Sequence, residues 1–493
     1  MNKPRIFTIT LITLLIGVVG LTNCRQKKED NTAQNLALLA LLTPTPNELS
    51  GEITSDRTIS GEIPMKGIVE VKEGATLTIE PGTVIKAETK SLLVVLPGAK
   101  IIARGTKENP IVFTSAKKEG ERRPSDWGGV IIIGKAPIEA VPSAPVTEGE
   151  RRYSYGPPGT NEPNDNSGVL EYVRIEFAGG IFDASGNDYN SLSMYAVGKG
   201  TTVQYIQTHM GRDDGVEIFG GRVEPKYLLI TGMADDDLDV DTGYFGTITN
   251  VLGYKYPSKY NVSFSDDPRG VELDGVDSTQ NARATFESRG GGVYIVENFT
   301  FVGAVESVTG GIRVPVSSNE VREGIIRNCA VVTLRFGQFF GYLRRFENPS
   351  NASGQSCPDI STGRTEITLQ DVQVTAGTLA PETTARTHFF GTDNLNNTAE
   401  RKINGSQCIN GTGTPVCNDQ NITQITNPAS GNSTGTRPTS PPANSIFELV
   451  PRVYNESLQN YERAEFNLQK IRAFKVGNQQ VDWTKDWTYW KHE

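Results

Sequence analysis

The chain has 493 residues, a formal net charge of −9, five cysteines and three histidines. An acidic composition without a basic stripe excludes nucleic acid as a general partner, and it excludes simple charge attraction to anionic polysaccharides or lipid headgroups. The histidines, His209, His388 and His492, show no metal-ligand spacing, so no zinc site is predicted.

The first 24 residues have the layout of a lipoprotein signal peptide. Lys3 and Arg5 precede an apolar run over Ile6–Leu21, and the sequence Leu-Thr-Asn-Cys ends at Cys24. This run is short for a membrane span, and polar residues follow it at once. We therefore predict a signal peptide over residues 1–23 and lipidation of Cys24, with an uncleaved membrane anchor as the alternative. More than one acyl chain on this cysteine would hold the protein stably on a membrane.

Residues 24–50 are predicted to be a flexible tether behind the lipidated cysteine, because they are rich in Lys, Glu, Asn, Thr and Pro. Removal of the signal peptide would change the net charge from −9 to −11, since two basic residues are lost with it. The expected location is the outer membrane or cell surface of a bacterium with two membranes, with a periplasm-facing orientation as the alternative.

Short β-type runs begin soon after the tether. The segments ATLTIEPGTVIKA and LLVVLPGAKIIARG place Pro81 and Pro97 sixteen residues apart, and each Pro-Gly pair turns one run into the next. No helical hydrophobic period occurs over residues 65–335, so the helical crossovers of an α/β sheet are not available.

A nine-residue segment then repeats at an interval of 22 residues, as DDGVEIFGG from Asp213 and DDDLDVDTG from Asp235. A third copy, GVELDG, begins at Gly270. In each copy apolar residues alternate with acids, which predicts a strand with one apolar and one carboxylate face. One interval upstream, we expect Met194 to align with Val216. Intervals of this length are typical of solenoid proteins.

A second column of similar segments lies between these strands. EYVRIEF, QYIQTHM and KYLLITGM carry Tyr172, Tyr205 and Tyr227, and TNVLGY follows from Thr249. Coils of two or three short parallel strands, stacked about 4.8 Å apart, explain both columns. We therefore predict an all-β fold, a right-handed single-stranded parallel β-helix over residues 51–345.

Four segments resemble a group of bacterial exported β-helix proteins that is related in architecture to pectate lyases. They are LTIEPGTVIKA, DWGG near Trp127, DDGVEIFGG and the closing DWTKDWTYW. The resemblance covers roughly residues 65–315 and the last dozen residues. It implies the β-helix fold and an exported protein, and it carries no agreed reaction to this chain.

The C-terminal part, residues 346–493, is predicted to hold late coils with long polar loops and an aromatic cap. EITLQDVQVTA still alternates like a strand, and ERAEFNLQKIRAF has the pattern of an amphipathic helix. Trp483, Trp487 and Trp490 are expected to cover the exposed last coil rather than bind sugar. Trp127 is interpreted in the same way, with a sugar platform as its alternative.

Four cysteines remain besides the lipidation site, and an even number in an exported chain is typical of disulfides. We predict a bond between Cys408 and Cys417, which would close a short Gly-rich loop, and this leaves Cys329 and Cys357 as the second pair. Free buried thiols are the alternative.

The acidic columns are the candidate site. Stacked coils would bring nine carboxylates together, and like charges on adjacent strands destabilise their pairing unless something offsets the repulsion. Calcium takes six to eight such oxygens, at about 2.3–2.6 Å. We therefore predict a Ca²⁺ site. A solvated face whose acids pair with Arg212, Arg222 or Arg269 is the alternative. The predicted ligands are Asp213, Asp214, Glu217, Asp235, Asp236, Asp239, Asp241, Glu272 and Asp274.

An enzyme is the second hypothesis. Glu217, Asp239 and Glu272 could act as paired carboxylates of a glycoside hydrolase. Calcium with Arg269 or Arg212 as the base would instead suit a uronate lyase. Residues 51–345 contain no Gly-His-Gly or Arg-x-Lys element of the kind that β-helix polygalacturonases carry. The leading hypothesis is therefore a non-catalytic, lipid-anchored scaffold that contacts glycans, host proteins or neighbouring surface proteins.

Overall fold

A computed structural model describes part of the chain. The described residues are 47–138, 145–156, 162–180, 188–256, 265, 268–275, 293–303, 321–327, 330–342, 366–376, 387–388, 391–392, 400–409, 416–417, 422–425, 452–455, 460–463 and 471–491. The predicted signal peptide, Cys24 and nearly all of the predicted tether lie outside these ranges. Within them, no helix is long and apolar enough to cross a membrane.

Short β-strands, numbered here in chain order, make up most of the described residues. The first ten are β1 (Leu49–Ile53), β2 (Arg57–Ile59), β3 (Glu62–Val71), β4 (Thr76–Ile79), β5 (Val84–Ala87), β6 (Leu92–Val95), β7 (Lys100–Arg104), β8 (Ile111–Ser115), β9 (Val130–Ile133) and β10 (Gly168–Glu176). The next ten are β11 (Leu192–Tyr195), β12 (Thr202–His209), β13 (Val216–Phe219), β14 (Lys226–Thr231), β15 (Leu238–Asp241), β16 (Thr247–Tyr254), β17 (Arg269–Asp274), β18 (Val293–Val302), β19 (Arg322–Arg327) and β20 (Val331–Tyr342).

The remaining strands belong to the C-terminal part of the chain. They are β21 (Glu366–Ala376), β22 (Thr387–His388), β23 (Gly391–Thr392), β24 (Glu400–Ile409), β25 (Val416–Cys417), β26 (Ile422–Ile425), β27 (Arg452–Asn455), β28 (Asn460–Arg463), β29 (Lys475–Val476) and β30 (Gln479–Gln480). A single 3₁₀ turn over Arg472–Phe474 precedes β29. The amphipathic helix predicted for ERAEFNLQKIRAF is wrong where the structure describes it, because β28 and this turn occupy its two ends.

Parallel pairing sorts the strands of successive coils into three stacks. The front stack contains β6, β9, β11, β13, β15, β17 and β19. The flank stack starts with β2, β4 and β7. The first half of β3 precedes β5 and β8 in the back stack, and its second half precedes β6 in the front stack. From β10 to β20, the long even-numbered strands extend the flank stack with their first halves and the back stack with their second halves. The predicted parallel β-helix is confirmed.

Each long strand bends at one residue in the left-handed backbone region. These residues form a column with φ between 50° and 60°, namely Tyr172, Tyr205, Tyr227, Asn250, Asn298 and Phe336. Residues other than glycine adopt this backbone conformation at an energetic cost, which stacking of their side chains can offset. The rings of Tyr172, Tyr205 and Tyr227 stack at centroid distances of 4.4 Å. The predicted second column is therefore the line where each coil turns from flank to back.

The front stack aligns the acidic repeat, with one change from the prediction. Ile218 lies opposite Val240, and Val240 lies opposite Leu273, so the apolar positions of the three copies coincide in the core. The 22-residue interval predicted that Met194 aligns with Val216. In the structure, Met194 pairs with Ile218 instead. The connection between β11 and β13 is two residues longer, and a shift of two leaves the inward and outward faces unchanged.

Parallel stacking ends after β21, the strand predicted from EITLQDVQVTA. β21 pairs in parallel with β20, whereas β24 pairs antiparallel with β21. In this antiparallel region, Cys408 lies opposite Cys417. Such partners have Cα atoms about 4.5–5.5 Å apart, a spacing that a disulfide can bridge. The Cys408–Cys417 bond stays a prediction, and Cys329 and Cys357 lie outside the described residues.

Residues 471–491, here called the C-terminal strap, lie across the outer side of the back stack. Asn250 Nδ2 donates to the carbonyls of Ala473 and Lys475 at 2.8 and 2.7 Å. Further along, Gln207 exchanges two hydrogen bonds with the backbone of Tyr489, at 2.5 and 2.8 Å. The strap thus crosses several coils and runs back toward the N-terminal ones.

The three tryptophans of the strap are buried, but they do not cover the end of the solenoid. Trp483 packs against Tyr227 at 5.7 Å, and Trp487 against Tyr172 at 5.6 Å, which are residues of the bend column. The predicted cap over the last coil is therefore corrected to a lateral cover. The physical reason is that outward-facing apolar residues of the back stack, such as Leu229, would otherwise be exposed.

Candidate metal centre

The register of the front stack places three acids in one outward file. Glu217 lies opposite Asp239, and Asp239 opposite Glu272, on strands one coil apart. The same position holds Ser193 in the preceding coil and Ile325 in the following one. Strand alternation, with the hydrophobic side turned to the core, forces all three carboxylates onto the outer face. The acidic file is therefore confined to three consecutive coils.

A ladder of side-chain hydrogen bonds links the turns that precede these strands. Asn190 Oδ1 accepts from the backbone N–H of Asp214 at 3.3 Å, and Asp214 Oδ1 accepts from that of Asp236 at 2.8 Å. Asp236 Oδ1 in turn accepts from the backbone N–H of Arg269 at 2.6 Å. Each of these side chains therefore satisfies a buried donor of the next coil. Asp214 and Asp236 have a structural role whether or not they also bind a ligand.

Two overlapping groups of carboxylates converge beside this ladder. Oxygens of Asp213, Asp214 and Asp235 lie within 4.8 Å of one another, and so do oxygens of Asp214, Glu217 and Asp239. Two oxygens bound to one Ca²⁺ at about 2.4 Å can be at most about 4.8 Å apart. Both groups therefore meet the distance condition for a shared cation, with Asp214 common to the two.

Burial and mutual repulsion act on every carboxylate of these groups. Burial, followed by the charges of Glu148, Asp239 and Asp214, raises the pKa of Glu217 well above its usual range. Burial and then Glu272 and Asp214 do the same to the pKa of Asp239. Five acids have a pKa raised well above the ordinary value, namely Asp213, Asp214, Glu217, Asp236 and Asp239. In the absence of a cation, this cluster holds protons at pH values where free carboxyls are ionised.

One oxygen of the cluster lacks a protein partner. Asp239 Oδ1 is a buried acceptor with no hydrogen bond among the described residues. A buried polar atom without a partner is unfavourable unless water or an ion satisfies it. The donor set of hard oxygens and this unsatisfied acceptor both fit a divalent cation such as Ca²⁺.

The nine predicted ligands separate into three sets. Five belong to the convergent groups, namely Asp213, Asp214, Glu217, Asp235 and Asp239. Asp236 and Glu272 are held by the guanidinium of Arg269, whose Nη1 lies 3.5 Å from Asp236 and donates to Glu272. Asp241 accepts a hydrogen bond from the backbone of the next residue, and Asp274 is buried at the end of β17 outside both groups.

Sequence reasoning missed Asn190 and the segment 145–156. Asn190 Nδ2 donates to Glu217 and, at 3.1 Å, to Glu148 of that segment. The ring of Tyr155, from the same segment, packs on the ring of Tyr195 at a centroid distance of 4.8 Å. Tyr195 lies two residues after Ser193, the residue that aligns with Glu217. Glu148 and Tyr155 lie outside the repeats, and Asn190 occupies the ladder position 24 residues before Asp214 instead of 22, so the 22-residue interval did not mark it.

The comparisons with known proteins agree with this architecture. The sequence model of the family described as "Pectate-lyase like beta helix domain" matches residues 51–434. The chain belongs to this family. No curated protein and no solved structure gives a significant match.

Family membership assigns a fold, and the activity of a pectate-lyase-like β-helix depends on its site. Of the residues considered for catalysis, Glu217 and Asp239 both belong to the second convergent group, together with Asp214, whereas Glu272 is paired with Arg269. Arg212 lies 3.6 Å from Asp188, and Arg222 lies over the Phe245 ring at 4.5 Å. Burial raises the pKa of Asp235, and the charges of Lys255 and Arg269 act against this rise, so Arg269 lies near the first group while it pairs with Asp236 and Glu272.

His209 and Trp127 are structural residues of this β-helix. His209 is buried, its Nε2 donates to the Lys491 carbonyl at 2.6 Å, and its Nδ1 lies 2.8 Å from Thr231 Oγ1. Trp127 is fully buried in the core and donates to the Glu176 carbonyl at 2.8 Å. A buried indole offers no platform to a sugar, so that alternative for Trp127 is wrong.

The ladder can be tested with two substitutions of one residue. Asp214→Asn keeps an oxygen acceptor, as Asn190 does one coil earlier, and removes a buried like charge. We expect it to raise the free energy of unfolding of the cation-free protein at pH 7. Asp214→Ala leaves the Asp236 N–H without its acceptor, so we expect a loss of about 1–3 kcal/mol. Urea unfolding in EDTA measures both, and equal effects of the two variants would contradict the ladder.

Proposed function

We propose that this protein is a lipid-anchored, non-catalytic β-helix scaffold whose front stack binds Ca²⁺ and offers it to oxygen-rich ligands. The observation that supports this most is the convergence of Asp213, Asp214, Asp235, Glu217 and Asp239 into two groups within 4.8 Å. Five buried or half-buried acids at one place need a counter-charge, and a divalent cation supplies it.

Partial exposure of the centre supports a ligand-binding role. Asp213, Asp235 and Asp239 are half-buried, so each group includes a side chain that is partly exposed to solvent. Each group offers one oxygen from each of three acids, whereas Ca²⁺ takes six to eight. Water or ligand oxygens would complete the coordination. Hydroxyls and carboxylates of glycans, or carboxylates of a host or neighbouring surface protein, have this chemistry.

Two features favour binding over catalysis. Arg269, the candidate base of a uronate lyase, is paired with Glu272 and Asp236, and such partners stabilise the charged guanidinium. A retaining glycosidase needs one ionised carboxylate as its nucleophile. Burial and the charges of neighbouring acids raise the pKa of both Glu217 and Asp239, which disfavours the ionised form that a nucleophile needs.

The anchor is the second part of the proposal. The lipoprotein layout ending at Cys24 and the polar tether behind it support attachment of the β-helix to the outer membrane or cell surface. Metabolic labelling with an alkyne fatty acid measures lipidation of the protein, and the Cys24→Ser variant, labelled in the same way, is the control. Label that is unchanged in the variant would contradict lipidation at this cysteine.

Calcium binding is tested by melting the full chain in EDTA and in excess Ca²⁺. At 100 times its dissociation constant, a specific ion adds about 2.7 kcal/mol of stability. We expect Asp239→Asn to abolish this gain. The matched control, Glu224→Gln, removes one exposed acid paired with Lys199 and should retain the gain. A Ca²⁺ effect of equal size in both variants, or none in the wild type, would refute the site.

Catalysis is tested with the same protein. Purified protein is incubated with uronate-containing and neutral polysaccharides, with and without Ca²⁺. We expect retention of polysaccharide that depends on Ca²⁺, with no new reducing ends and no unsaturated products. Appearance of either product would replace the scaffold with the enzyme alternative.

A further inference from the structure

A lysine and an aspartate are enclosed inside the β-helix rather than on its acidic face. The side chains of Lys255 and Asp237 are both 0% exposed. Gly253 makes room for them, because a Cβ at this position would lie 2.7 Å from Asp237 Oδ2 and 2.4 Å from the Phe301 ring. Phe301, on the other side of this space, belongs to the hydrophobic core. The pair is therefore held away from solvent at the border of that core.

The two side chains are in direct contact. Lys255 Nζ lies 3.0 Å from Asp237 Oδ1, and it also donates to the backbone carbonyl of Asp235. This distance joins Nζ to an oxygen of the carboxyl group whose carbon the amine would attack, and holding two reacting groups together replaces a large entropic barrier. An amine and a carboxyl group are thus positioned against each other without a competing solvent.

The interior disfavours the charged form of this pair. Burying two opposite charges costs more than their attraction returns unless further hydrogen bonds satisfy them, and the Asp237 oxygens have no hydrogen bond among the described residues besides the contact with Lys255. A second acid, Glu323, is also 0% exposed and shares this interior. Burial, and then the charges of Asp237 and Glu323, raise the pKa of the neighbouring Tyr342. A neutral, covalent product would remove the buried charges of the pair.

We propose that Lys255 and Asp237 are joined by an intramolecular isopeptide bond. One proton passes from the ammonium to the carboxylate, which gives a neutral amine and a carboxylic acid. Nζ then attacks Cγ, the Nζ–Cγ bond forms and one Cγ–O bond breaks. The oxygen leaves as water, with its own proton and one from Nζ. The reaction needs no oxidant, reductant or activated donor, and its product closes a ring over residues 237–255 that contains both β15 and β16.

Trypsin digestion of the purified, denatured full chain tests this bond. An unmodified chain is cut after Lys226 and Lys255 and releases the peptide 227–255. An acylated Lys255 is no longer a trypsin site, so the joined chain releases the peptide 227–259, lighter by one water, about 18 Da. Fragmentation should give no backbone ions between residues 237 and 255, because the ring holds both pieces together.

The matched control is Lys255→Arg, which keeps a positive charge and a trypsin site but cannot form this amide as the lysine does. Its digest should contain the peptide 227–255 at full mass. The wild-type digest is sufficient to test the bond, so the test still holds if the variant fails to fold. Recovery of the unmodified peptide 227–255 from folded wild-type protein as the main species would overturn the bond and leave a buried ion pair.

Discussion

Trp487→Ala should lower the free energy of unfolding by about 3–5 kcal/mol, the usual range for removal of a buried tryptophan. Trp487 is 2% exposed, packs edge-on against Tyr172 and donates from Nε1 to the Trp483 carbonyl at 2.7 Å. The backbone carbonyl of Trp487 accepts from Arg174 at 3.2 Å. Removal of the indole therefore opens a cavity where the strap meets the bend column. Urea unfolding, followed by circular dichroism, measures the loss.

Val481→Ala is the matched control for the strap. Val481 belongs to the same segment but is 38% exposed. Surface changes of this kind usually remain within about 0.5 kcal/mol. Because stacked repeats can unfold in parts, amide exchange of β12 and β14 should be followed beside the global transition. A loss below about 1 kcal/mol for Trp487→Ala, with unchanged exchange, would show that the strap adds little to the stability of the coils.

The second large effect is a coupling between pH and Ca²⁺. The raised pKa values of Asp213, Asp214, Glu217, Asp236 and Asp239 mean that the folded protein keeps protons that the unfolded chain releases. These groups contribute to the free energy of unfolding fully below about pH 4, their pKa in the unfolded chain. This contribution is lost as the pH rises through their pKa values in the folded protein. In EDTA, we therefore expect their contribution to the melting temperature to fall from about pH 4 to pH 8.

Calcium should reverse this trend, because it binds the ionised carboxylates and competes with their protons. The increase in melting temperature caused by Ca²⁺ should be near zero at about pH 4 and largest at about pH 8. Comparing EDTA with Ca²⁺ at each pH cancels the effect of groups that titrate elsewhere in the protein. Glu70 is such a group: burial raises its pKa, and hydrogen bonds from Tyr153 and Lys72 more than offset this, so that its pKa is lowered. Asp239→Asn should flatten the difference, and a difference independent of pH would contradict carboxylate ligands.

The repeats made the fold predictable from the sequence. The 22-residue interval between Asp213 and Asp235 and the tyrosine column at Tyr172, Tyr205 and Tyr227 are local patterns that a stacked coil needs everywhere. A strand period of two then decides which side of each coil faces the core. For this reason the outward alignment of Glu217, Asp239 and Glu272 followed from counting residues, without knowledge of distant contacts.

Other features depended on contacts that no interval encodes. The Met194 register differs by two residues because the connection to β13 is longer, and a single sequence gives no rule for how a turn absorbs extra residues. The role of Asn190, which continues the hydrogen-bond ladder and contacts Glu217, is likewise visible only when neighbouring coils are seen together.

The amino-acid sequence alone determined that this protein is a parallel β-helix with an acidic column, because periodic burial is a local property repeated along the chain. Only the tertiary structure decided which acids converge, that Arg269 is held by Asp236 and Glu272, and that the C-terminal tryptophans cover the back stack instead of the end. The reason is distance along the chain. The strap meets coils more than 200 residues away, and such contacts are chosen by complementary surfaces that exist only after the coils have stacked.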